Sequence, residues 1–228
     1  VLDGDQILES SWDSLNESYI ATLPTETSGK SVVAWREEGT LNLIKPGRIV
    51  RKYNSSGSYV ELSPIFETAS WLKSKQNWYY QKQGQLVKDA WIKDQESWYF
   101  MDDKGVMFNQ TWLHQGGSWY AFKSSGAMIS ADWLYDNGSW YYLKDSGSMA
   151  TGWLKDGGTW YYLKDSGSMA TGWVKDNGSW YYLKDSGAMA TGWIKDNGKW
   201  YYLASSGNML SNTRTPDGYY VDASGVWK

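Results

Sequence analysis

Tryptophan pairs seven residues apart recur along most of the chain. Trp173 and Trp180, in "TGWVKDNGSWYYLKDSGAMA" at residues 171–190, form one such pair, and Tyr181 and Tyr182 follow directly. The chain has 17 Trp and 18 Tyr but only 4 Phe, so it favours rings with a polar group or an electron-rich face over plain core rings. Several such rings around one gap attract a cation through their quadrupoles.

A quaternary ammonium suits such a gap best. It has no N–H group for a carboxylate or carbonyl to accept, so it is recognised by ring faces and close apolar contact. Three desolvated rings supply about 4–6 kcal/mol, which leaves roughly millimolar affinity after the cost of association. Several sites facing a polymer that repeats the head group would gain on the order of 10²–10⁴ by avidity. A weak site of this kind therefore predicts a tandem array.

The Trp-Tyr-Tyr triplet recurs every 20 residues, with another Trp seven residues before it and a Met nine residues after it. The regular copies contain Trp133 and Trp140, Trp153 and Trp160, Trp173 and Trp180, and Trp193 and Trp200, with Met149, Met169, Met189 and Met209. The looser copies before them contain Trp71 and Trp78, Trp91 and Trp98, and Trp112 and Trp119, and a partial copy, "GYYVDASGVW", follows. A fixed short period predicts one small unit per copy, stabilised by stacking on its neighbours.

Each copy is predicted to be a β-hairpin. "GWVK" and "SWYYL" are short strands, and the intervening Asn-Gly accepts the positive φ of a two-residue turn. "KDSG" then breaks the second strand. The predicted fold class is therefore all-β, a solenoid of stacked β-hairpins with ~20-residue repeats, preceded by a β-rich N-terminal segment.

Alternation along a strand places Trp180 and Tyr182 on one face and Tyr181 on the other. One face is expected to form the core, and the other to line the seam between neighbouring hairpins. The alternative is that every ring belongs to the core. That arrangement would leave many indole N–H and phenol O–H groups in need of buried partners, so binding seams are favoured.

Two regions are expected: a solenoid over residues 70–228, with seven hairpin repeats and a partial C-terminal unit, and a β-rich module or degenerate-repeat cap over residues 1–69. In the latter, "LDGDQILESSWDSLNESYIATL" is either a short helix or an extended lead-in segment. Turns are expected at "EEGT", "KPG" and "NSSG", and "YNSSG" at 53–57 is similar to "YLASSG" at 202–207. So short a region without Cys or a metal is a marginal domain, which favours a cap continuous with the solenoid.

The composition excludes several classes of protein. A net charge of −3 and a pI of about 5.2 provide no basic patch for nucleic acid. The absence of Cys excludes disulfides and thiolate chemistry, and no apolar run is long enough for transmembrane insertion. No cofactor and no metal are expected. No leader is visible at Val1, so if the protein is secreted, as expected for a cell-surface protein, this chain is the processed form.

We expect that the chain is not an enzyme. Its one His, His114, aligns with Lys155 of a regular copy and occupies a variable repeat position. The acidic residues that could supply a glycosidase-like carboxylate pair are Asp3, Asp5, Glu9 and Asp13. A solvated acidic segment is the favoured interpretation of these residues, because the N-terminal region leaves little room for a sugar cleft.

"TGWVKDNGSWYYLKDSGAMA" and its neighbours resemble the choline-binding repeats of pneumococcal-type cell-surface proteins. The resemblance is close over residues 131–210, looser over 70–130, and includes "TPDGYYVDASGVWK". It implies non-covalent binding to choline or phosphorylcholine on teichoic and lipoteichoic acids of a bacterial cell wall. It also implies a site between consecutive hairpins, formed by both Trp of one copy and the third residue of the next triplet, often closed by an apolar side chain.

The resemblance transfers this choline-binding role to six groups of residues. The regular groups are Trp133, Trp140 and Tyr162; Trp153, Trp160 and Tyr182; and Trp173, Trp180 and Tyr202. The less regular groups are Trp112, Trp119 and Tyr142; Trp193, Trp200 and Tyr220; and Trp71, Trp78 and Phe100. In a seventh seam, Trp91 and Trp98 would meet Ala121, which has no ring, so that seam is expected to be poor or empty.

Other functions stay open on the sequence alone. A related repeat class binds glucans or cell-surface sugars by stacking rings on pyranose faces, although a Tyr-Phe pair dominates there. Ring stacking on single-stranded nucleic acid would need a basic groove. The chain could also be the wall-targeting part of an autolysin whose catalytic domain is absent, and a C-terminus in the family's closing motif leaves only the N-terminal side for that domain. Residues 1–69 could add adhesion or bind a host protein.

Overall fold

The computed structural model describes residues 2–3, 6–7, 11–13, 18–27, 29–37, 40–47, 49–53 and 62–228. The chain divides into two units, residues 1–111 with 122–128, and residues 112–121 with 129–228. The described residues form strands, turns and loops without a helix, which confirms the all-β fold class. No helix long and apolar enough to cross a bilayer occurs in this part of the chain. The boundary expected at residue 69 stays a prediction.

The first unit consists of short antiparallel sheets. Its described strands are β1 Leu2–Asp3, β2 Gln6–Ile7, β3 Ser11–Asp13, β4 Ser18–Thr22, β5 Glu26–Thr27, β6 Lys30–Ser31, β7 Ala34–Glu37, β8 Leu43–Ile44, β9 Ile49–Tyr53, β10 Leu62–Ile65, β11 Ala69–Ser74, β12 Asn77–Lys82, β13 Gln85–Leu86, β14 Ala90–Asp94 and β15 Ser97–Met101. Three sheets have three strands, in the orders β3-β4-β9, β10-β7-β8 and β11-β12-β13, and β1-β2, β5-β6 and β14-β15 are pairs.

The N-terminal region follows the β-rich prediction where it is described. In the segment 2–23, for which a short helix is one alternative, every described residue up to Thr22 is strand and Leu23 follows the last strand; "KPG" forms a turn at residues 46–47. At "EEGT", the Thr40 backbone N–H donates to the Glu37 carbonyl at 3.1 Å, the bond between the first and fourth residues that the expected turn requires. "NSSG" and most of "YNSSG" fall on residues outside the described part. A small core of Leu23, Val32, Trp35 and Leu62 supports this region, with the Trp35 indole N–H donating to the Pro24 carbonyl at 2.9 Å.

The second unit is a succession of hairpins. Its strands are β16 Trp112–Gln115, β17 Ser118–Ala121, β18 Asp132–Asp136, β19 Ser139–Leu143, β20 Gly152–Asp156, β21 Thr159–Leu163, β22 Gly172–Asp176, β23 Ser179–Leu183, β24 Gly192–Asp196, β25 Lys199–Leu203, β26 Thr213–Arg214 and β27 Tyr220–Val221. Each odd-numbered strand pairs with the strand before it, antiparallel. In β22–β23, Asn177 and Gly178 have φ of 44° and 83°, which suits the predicted two-residue turn.

Consecutive hairpins of this unit contact each other in the same way at every step. The backbone N–H of Met189 donates to the carbonyl of Trp160 on the preceding hairpin at 2.8 Å. Gly187 has a φ of 80°, which disfavours any residue with a side chain, and a Cβ there would also displace the Met169 side chain of the preceding copy. Within the unit, this uniform stacking is the predicted solenoid.

The fully buried core of the second unit is narrow and aliphatic. Its repeating members are Leu143, Leu163, Leu183 and Leu203, with Ala150, Ala170 and Ala190. The Leu residues end the second strand of each hairpin. Since Trp and Tyr of the regular copies are not among these buried residues, their rings line the seams beside the core.

Candidate functional site

Each regular hairpin holds its two Trp rings on one face. In β20–β21, Trp153 lies opposite Tyr162 and Lys155 lies opposite Trp160. The indole centroids of Trp153 and Trp160 are 6.3 Å apart, and the ring planes meet at 88°. The other regular pairs, Trp133–Trp140, Trp173–Trp180 and Trp193–Trp200, have separations of 6.3–6.5 Å and angles of 84–89°. The perpendicular rings form two walls of a corner.

The middle residue of the next Trp-Tyr-Tyr triplet supplies a third ring. The pairs are Trp133 with Tyr161 at 5.0 Å, Trp153 with Tyr181 at 4.7 Å, Trp173 with Tyr201 at 4.9 Å, and Trp112 with Tyr141 at 5.2 Å. In every pair the planes are inclined by 65–71°. The Tyr ring therefore adds a separate wall and does not cover the indole as a stacked ring would.

An open cavity lies between these rings. At Trp133 and Trp140 it measures ≈290 Å³, and Tyr161, Met169, Asp185 and Ser186 complete its lining. Similar cavities of ≈390 Å³ and ≈260 Å³ are lined by Trp173, Trp180, Tyr201 and Met209 and by Trp112, Trp119, Tyr141 and Met149. We name such a set, two Trp of one hairpin with the Tyr of the next and the Met that follows it, an aromatic cage, and identify each cage by its first Trp.

A hydrogen bond fixes the first Trp of each cage. The Trp153 indole N–H donates to Oδ2 of Asp176 on the following hairpin at 3.2 Å. The same bond joins Trp71 to Asp94, Trp112 to Asp136, Trp133 to Asp156, Trp173 to Asp196, and Trp193 to Asp217. It satisfies the indole N–H and places a carboxylate beside the ring.

The second Trp of each regular cage is open to solvent. Trp140, Trp160, Trp180 and Trp200 are 39–43% exposed. The alternative that every ring belongs to the core is therefore wrong for these residues. Recurring exposed rings around an open cavity are typical of a binding surface.

Comparison with known proteins identifies the family. Residues 135–172 and 170–213 match the choline-binding repeat, and residues 89–107 and 110–128 match the putative cell wall binding repeat. Choline binding protein F from Streptococcus pneumoniae is 35% identical, with a TM-score of 0.63 over 92% of this chain and 70% of that one. The chain belongs to the choline-binding repeat family.

Further solved structures of this family are similar. CbpJ from Streptococcus pneumoniae TIGR4 has a TM-score of 0.65 and 32% identity, over 96% of this chain and 94% of that one. A structure of CbpF in complex with ipratropium, obtained by soaking, has a TM-score of 0.62 and 32% identity, over 92% and 71% of the two chains. No curated protein sequence matches the chain significantly.

The third ring of each choline-binding repeat differs by one residue from the expected one. Tyr162, Tyr182, Tyr202 and Tyr142 lie against the first Trp of their own hairpins, Trp153, Trp173, Trp193 and Trp133, at 5.1–5.2 Å. The reason is strand alternation: the third residue of a triplet shares a face with the Trp of that triplet, so the middle residue faces the preceding hairpin. Which of these rings contacts a ligand stays a prediction.

The early copies show the same shift. Tyr99, and not the predicted Phe100, lies beside Trp71, at 4.8 Å. Phe100 is 3% exposed and lies 5.2 Å from Trp91 of its own hairpin. Ala121 pairs with Trp112 and is buried with Ile129 and Leu143, so it is a core residue and does not line the seam at Trp91.

The seam at Trp91 differs from the cages in its packing. Trp91 and Trp98 lie 6.5 Å apart at 83°, as in a regular pair. However, the Phe122 ring stacks on Trp91 at 5.7 Å and 29°, and Phe108 lies 5.6 Å from Phe122. Phe122 is 3% exposed, so these rings form an apolar cluster. That this seam binds poorly stays a prediction, now on the basis of a filled gap.

The last cage has an additional ring. A cavity of ≈470 Å³ is lined by Trp193, Trp200, Asp217, Tyr219 and Trp227. The predicted residue, Tyr220, donates its hydroxyl to Asn212 Oδ1 at 2.7 Å instead. Trp227 is not among the residues predicted from the sequence, although aligning "SGVW" with "SGNM" places it at the Met position of the repeat. The backbone N–H of Trp227 donates to the Trp200 carbonyl at 3.0 Å, as the backbone N–H of the Met does to the preceding hairpin in the other copies.

The Tyr at the third position of the triplet, which packs on the first Trp of its own hairpin, is a neutral phenol near carboxylates. Burial, and then the charge of Asp176, raises the pKa of Tyr162, and burial, followed by Asp156, raises the pKa of Tyr142. Hydrogen bonds from Thr215 and then Trp193 hold the pKa of Asp217 below its ordinary value. The negative charge of the Asp217 carboxylate, which lines the last cage, favours a cationic ligand.

Among the candidate residues whose side chains are described, none forms a second site. His114 lies 4.8 Å from the Trp119 ring, in the position that Lys155 occupies in its own hairpin. The described residues contain no group of three or more side chains that could hold a metal ion. The side chains of Asp3, Asp5, Glu9 and Asp13 lie outside the described part of the chain.

Proposed function

We propose that the repeats attach the protein non-covalently to a bacterial cell wall by binding the trimethylammonium group of phosphorylcholine on teichoic and lipoteichoic acids. The observation that carries this proposal is the recurring cage, in which perpendicular Trp rings, a Tyr ring and a Met surround an open cavity. The protein then acts at the cell surface after secretion.

The lining of a cage suits a quaternary ammonium better than a primary one. Ring faces and a thioether attract the cation and its methyl groups but accept few hydrogen bonds from N–H donors. The polar lining of the Trp133 cage is limited to Asp185 and Ser186 besides the phenol. The similar protein CbpF forms a complex with ipratropium, which is itself a quaternary ammonium compound.

The observed register supports a proposal for the ligand-contacting residues. The proposed cages are Trp112, Trp119, Tyr141 and Met149; Trp133, Trp140, Tyr161 and Met169; Trp153, Trp160, Tyr181 and Met189; Trp173, Trp180, Tyr201 and Met209; and Trp193, Trp200, Tyr219 and Trp227. A sixth, partial cage consists of Trp71, Trp78 and Tyr99. One cage binds choline with a dissociation constant of roughly 1 mM, and the array gains a factor on the order of 10²–10⁴ in affinity for a polymer that repeats choline.

Competition by small ligands tests the proposal. Choline should quench or shift Trp fluorescence and should release the protein from a choline-bearing matrix. Ethanolamine should do so far less, because its ammonium keeps N–H groups that the rings cannot satisfy. Equal competition by the two amines would overturn the cage model, and a response to a maltooligosaccharide alone would favour the sugar-binding alternative.

We further propose that the protein is an anchor without catalytic activity. A zymogram on purified cell walls should show no clearing, and clearing would favour the autolysin alternative. An adhesive role of residues 1–69, or a host-protein partner for them, stays a prediction. It is tested by removing those residues and measuring binding to host surfaces separately from retention on choline.

A further inference from the structure

The side chain that lies opposite the outer Trp is not the same in all cages. Lys155 and Lys175 lie directly across the strands from Trp160 and Trp180. Each Lys Nζ is 5.7 Å from the indole centroid. In the Trp133 cage the same position is Tyr135, whose ring lies 5.1 Å from Trp140.

The cages that differ at this position are otherwise closely matched. The Trp–Trp separation is 6.5 Å in the Trp133 cage and 6.3 Å in the Trp153 cage. The third ring lies at 5.0 Å and 4.7 Å, and the indole–carboxylate bond measures 2.9 Å and 3.2 Å. Tyr135 against Lys155 is therefore a natural substitution within a nearly constant frame.

A lysine on an indole competes with a cationic ligand of that ring. Its ammonium already interacts with the ring quadrupole, and it repels a second positive charge that approaches the same indole. Tyr135 has no formal charge and leaves Trp140 free to serve the cage. Lys155 and Lys175 are exposed, so solvent and salt weaken the repulsion, and the effect is limited to about two- to threefold.

We propose that the residue opposite the outer Trp sets the affinity of each cage: Tyr135 makes the Trp133 cage the tighter site for quaternary ammonium, and Lys155 and Lys175 weaken theirs. This inference rests on the proposed function. It makes the sites of the array unequal, so that they fill in sequence as choline rises. Asp185 also lines the Trp133 cage, so the contribution of Tyr135 must be separated by substitution.

Fluorine NMR of the full chain labelled with fluorotryptophan follows single cages. The resonances of Trp140 and Trp160 are assigned with Trp140→Phe and Trp160→Phe, and choline chloride is titrated. The Trp140 midpoint should be about two- to threefold lower than the Trp160 midpoint. Lys155→Met, which keeps the apolar stem, should lower the Trp160 midpoint by that factor and leave Trp140 unchanged. Tyr135→Lys should raise the Trp140 midpoint.

The outcomes distinguish this inference from the function on which it rests. If both resonances respond to choline but Lys155→Met and Lys155→Gln leave the Trp160 midpoint in place, the inference is wrong and the cage model stands. If neither resonance responds to choline, both are wrong. A Lys155→Arg control keeps the charge and should keep the weaker midpoint.

Discussion

Trp153 and Trp91 start hairpins with the same Trp spacing, but their rings meet different neighbours. In both hairpins the second Trp lies 6.3–6.5 Å away at nearly a right angle, and an aromatic side chain of the same hairpin, Tyr162 or Phe100, lies 5.1–5.2 Å away. Trp153 then meets Tyr181 edge-on at 68°, whereas Trp91 is stacked by Phe122 at 29°.

The difference shows that Trp spacing alone does not make a cage. A stacked phenyl ring covers one indole face and needs no water or polar partner, so it turns the seam into core. An inclined phenol leaves a corner open and keeps a polar group at its edge. The same backbone unit can therefore contribute either stability or ligand binding, depending on one ring.

The largest expected effect concerns the regular cages as a set. Deleting residues 151–190 joins Ala150 to Thr191, in the same "MATGW" context that the full chain has at residues 149–153, and removes two cages while the Trp91 cluster remains. Because each hairpin contacts its neighbours, the shorter chain should fold. Retention on a choline matrix should fall by at least tenfold, as avidity is lost, with the affinity per remaining cage unchanged in calorimetry. Unchanged retention would place the anchor outside the regular cages.

The second effect compares stability in the two regions. Phe122→Ala removes a ring that is 3% exposed and should lower the free energy of unfolding by about 3–5 kcal/mol. Trp160→Ala, at a residue 40% exposed, should lower it much less but abolish choline binding at its cage. Urea unfolding of both variants, with and without choline, measures this. Similar losses in the two variants would contradict the division between core and cage.

Much of this comparison could be predicted from local signals. The period, the Asn-Gly turn and the alternation fix the hairpins, since each depends on residues close in sequence. The middle Tyr could also have been assigned from alternation, because Tyr181 and Tyr182 necessarily face opposite sides. The family pattern favours Tyr182 instead, and which of the two residues contacts choline stays a prediction.

Other features depend on contacts that the spacing does not encode. Phe122 is equivalent in its repeat to the aliphatic Leu143, since each forms a β-bridge with the following Met. Only the packing in the structure shows that the Phe122 ring lies on Trp91. The bond from each first Trp to an Asp of the next hairpin likewise joins residues 23–24 positions apart, and nothing local to either residue indicates it.

The third effect tests the register of the cage. Tyr181→Ala should weaken choline binding at the Trp153 cage about thirtyfold, since one wall of about 2 kcal/mol is lost. Tyr181→Phe should keep binding. Tyr182→Ala should leave this cage intact, because Tyr182 lies against Trp173. The fluorine resonance of Trp160 reports each result, and the opposite pattern in the two Ala variants would restore the third residue of the triplet as the wall.

The smallest expected effect concerns acid and the last cage. Hydrogen bonds from Thr215 and Trp193 lower the pKa of Asp217, so its ionised form is favoured in the folded protein. Because the pKa is lowered, the ionised carboxylate stabilises the folded protein at pH values above the ordinary pKa of 3.8. This contribution is lost as the pH falls through the lower folded-state pKa. Choline binding at Trp193 should therefore be the same at pH 7 and pH 5 and should weaken only in stronger acid. Asp217→Asn should remove this acid sensitivity while keeping an acceptor for the Trp193 indole. Choline titrations that follow the fluorine resonance of Trp200 across this pH range compare the unsubstituted protein with Asp217→Asn. A loss of binding already at pH 5 would show that another group controls the cage.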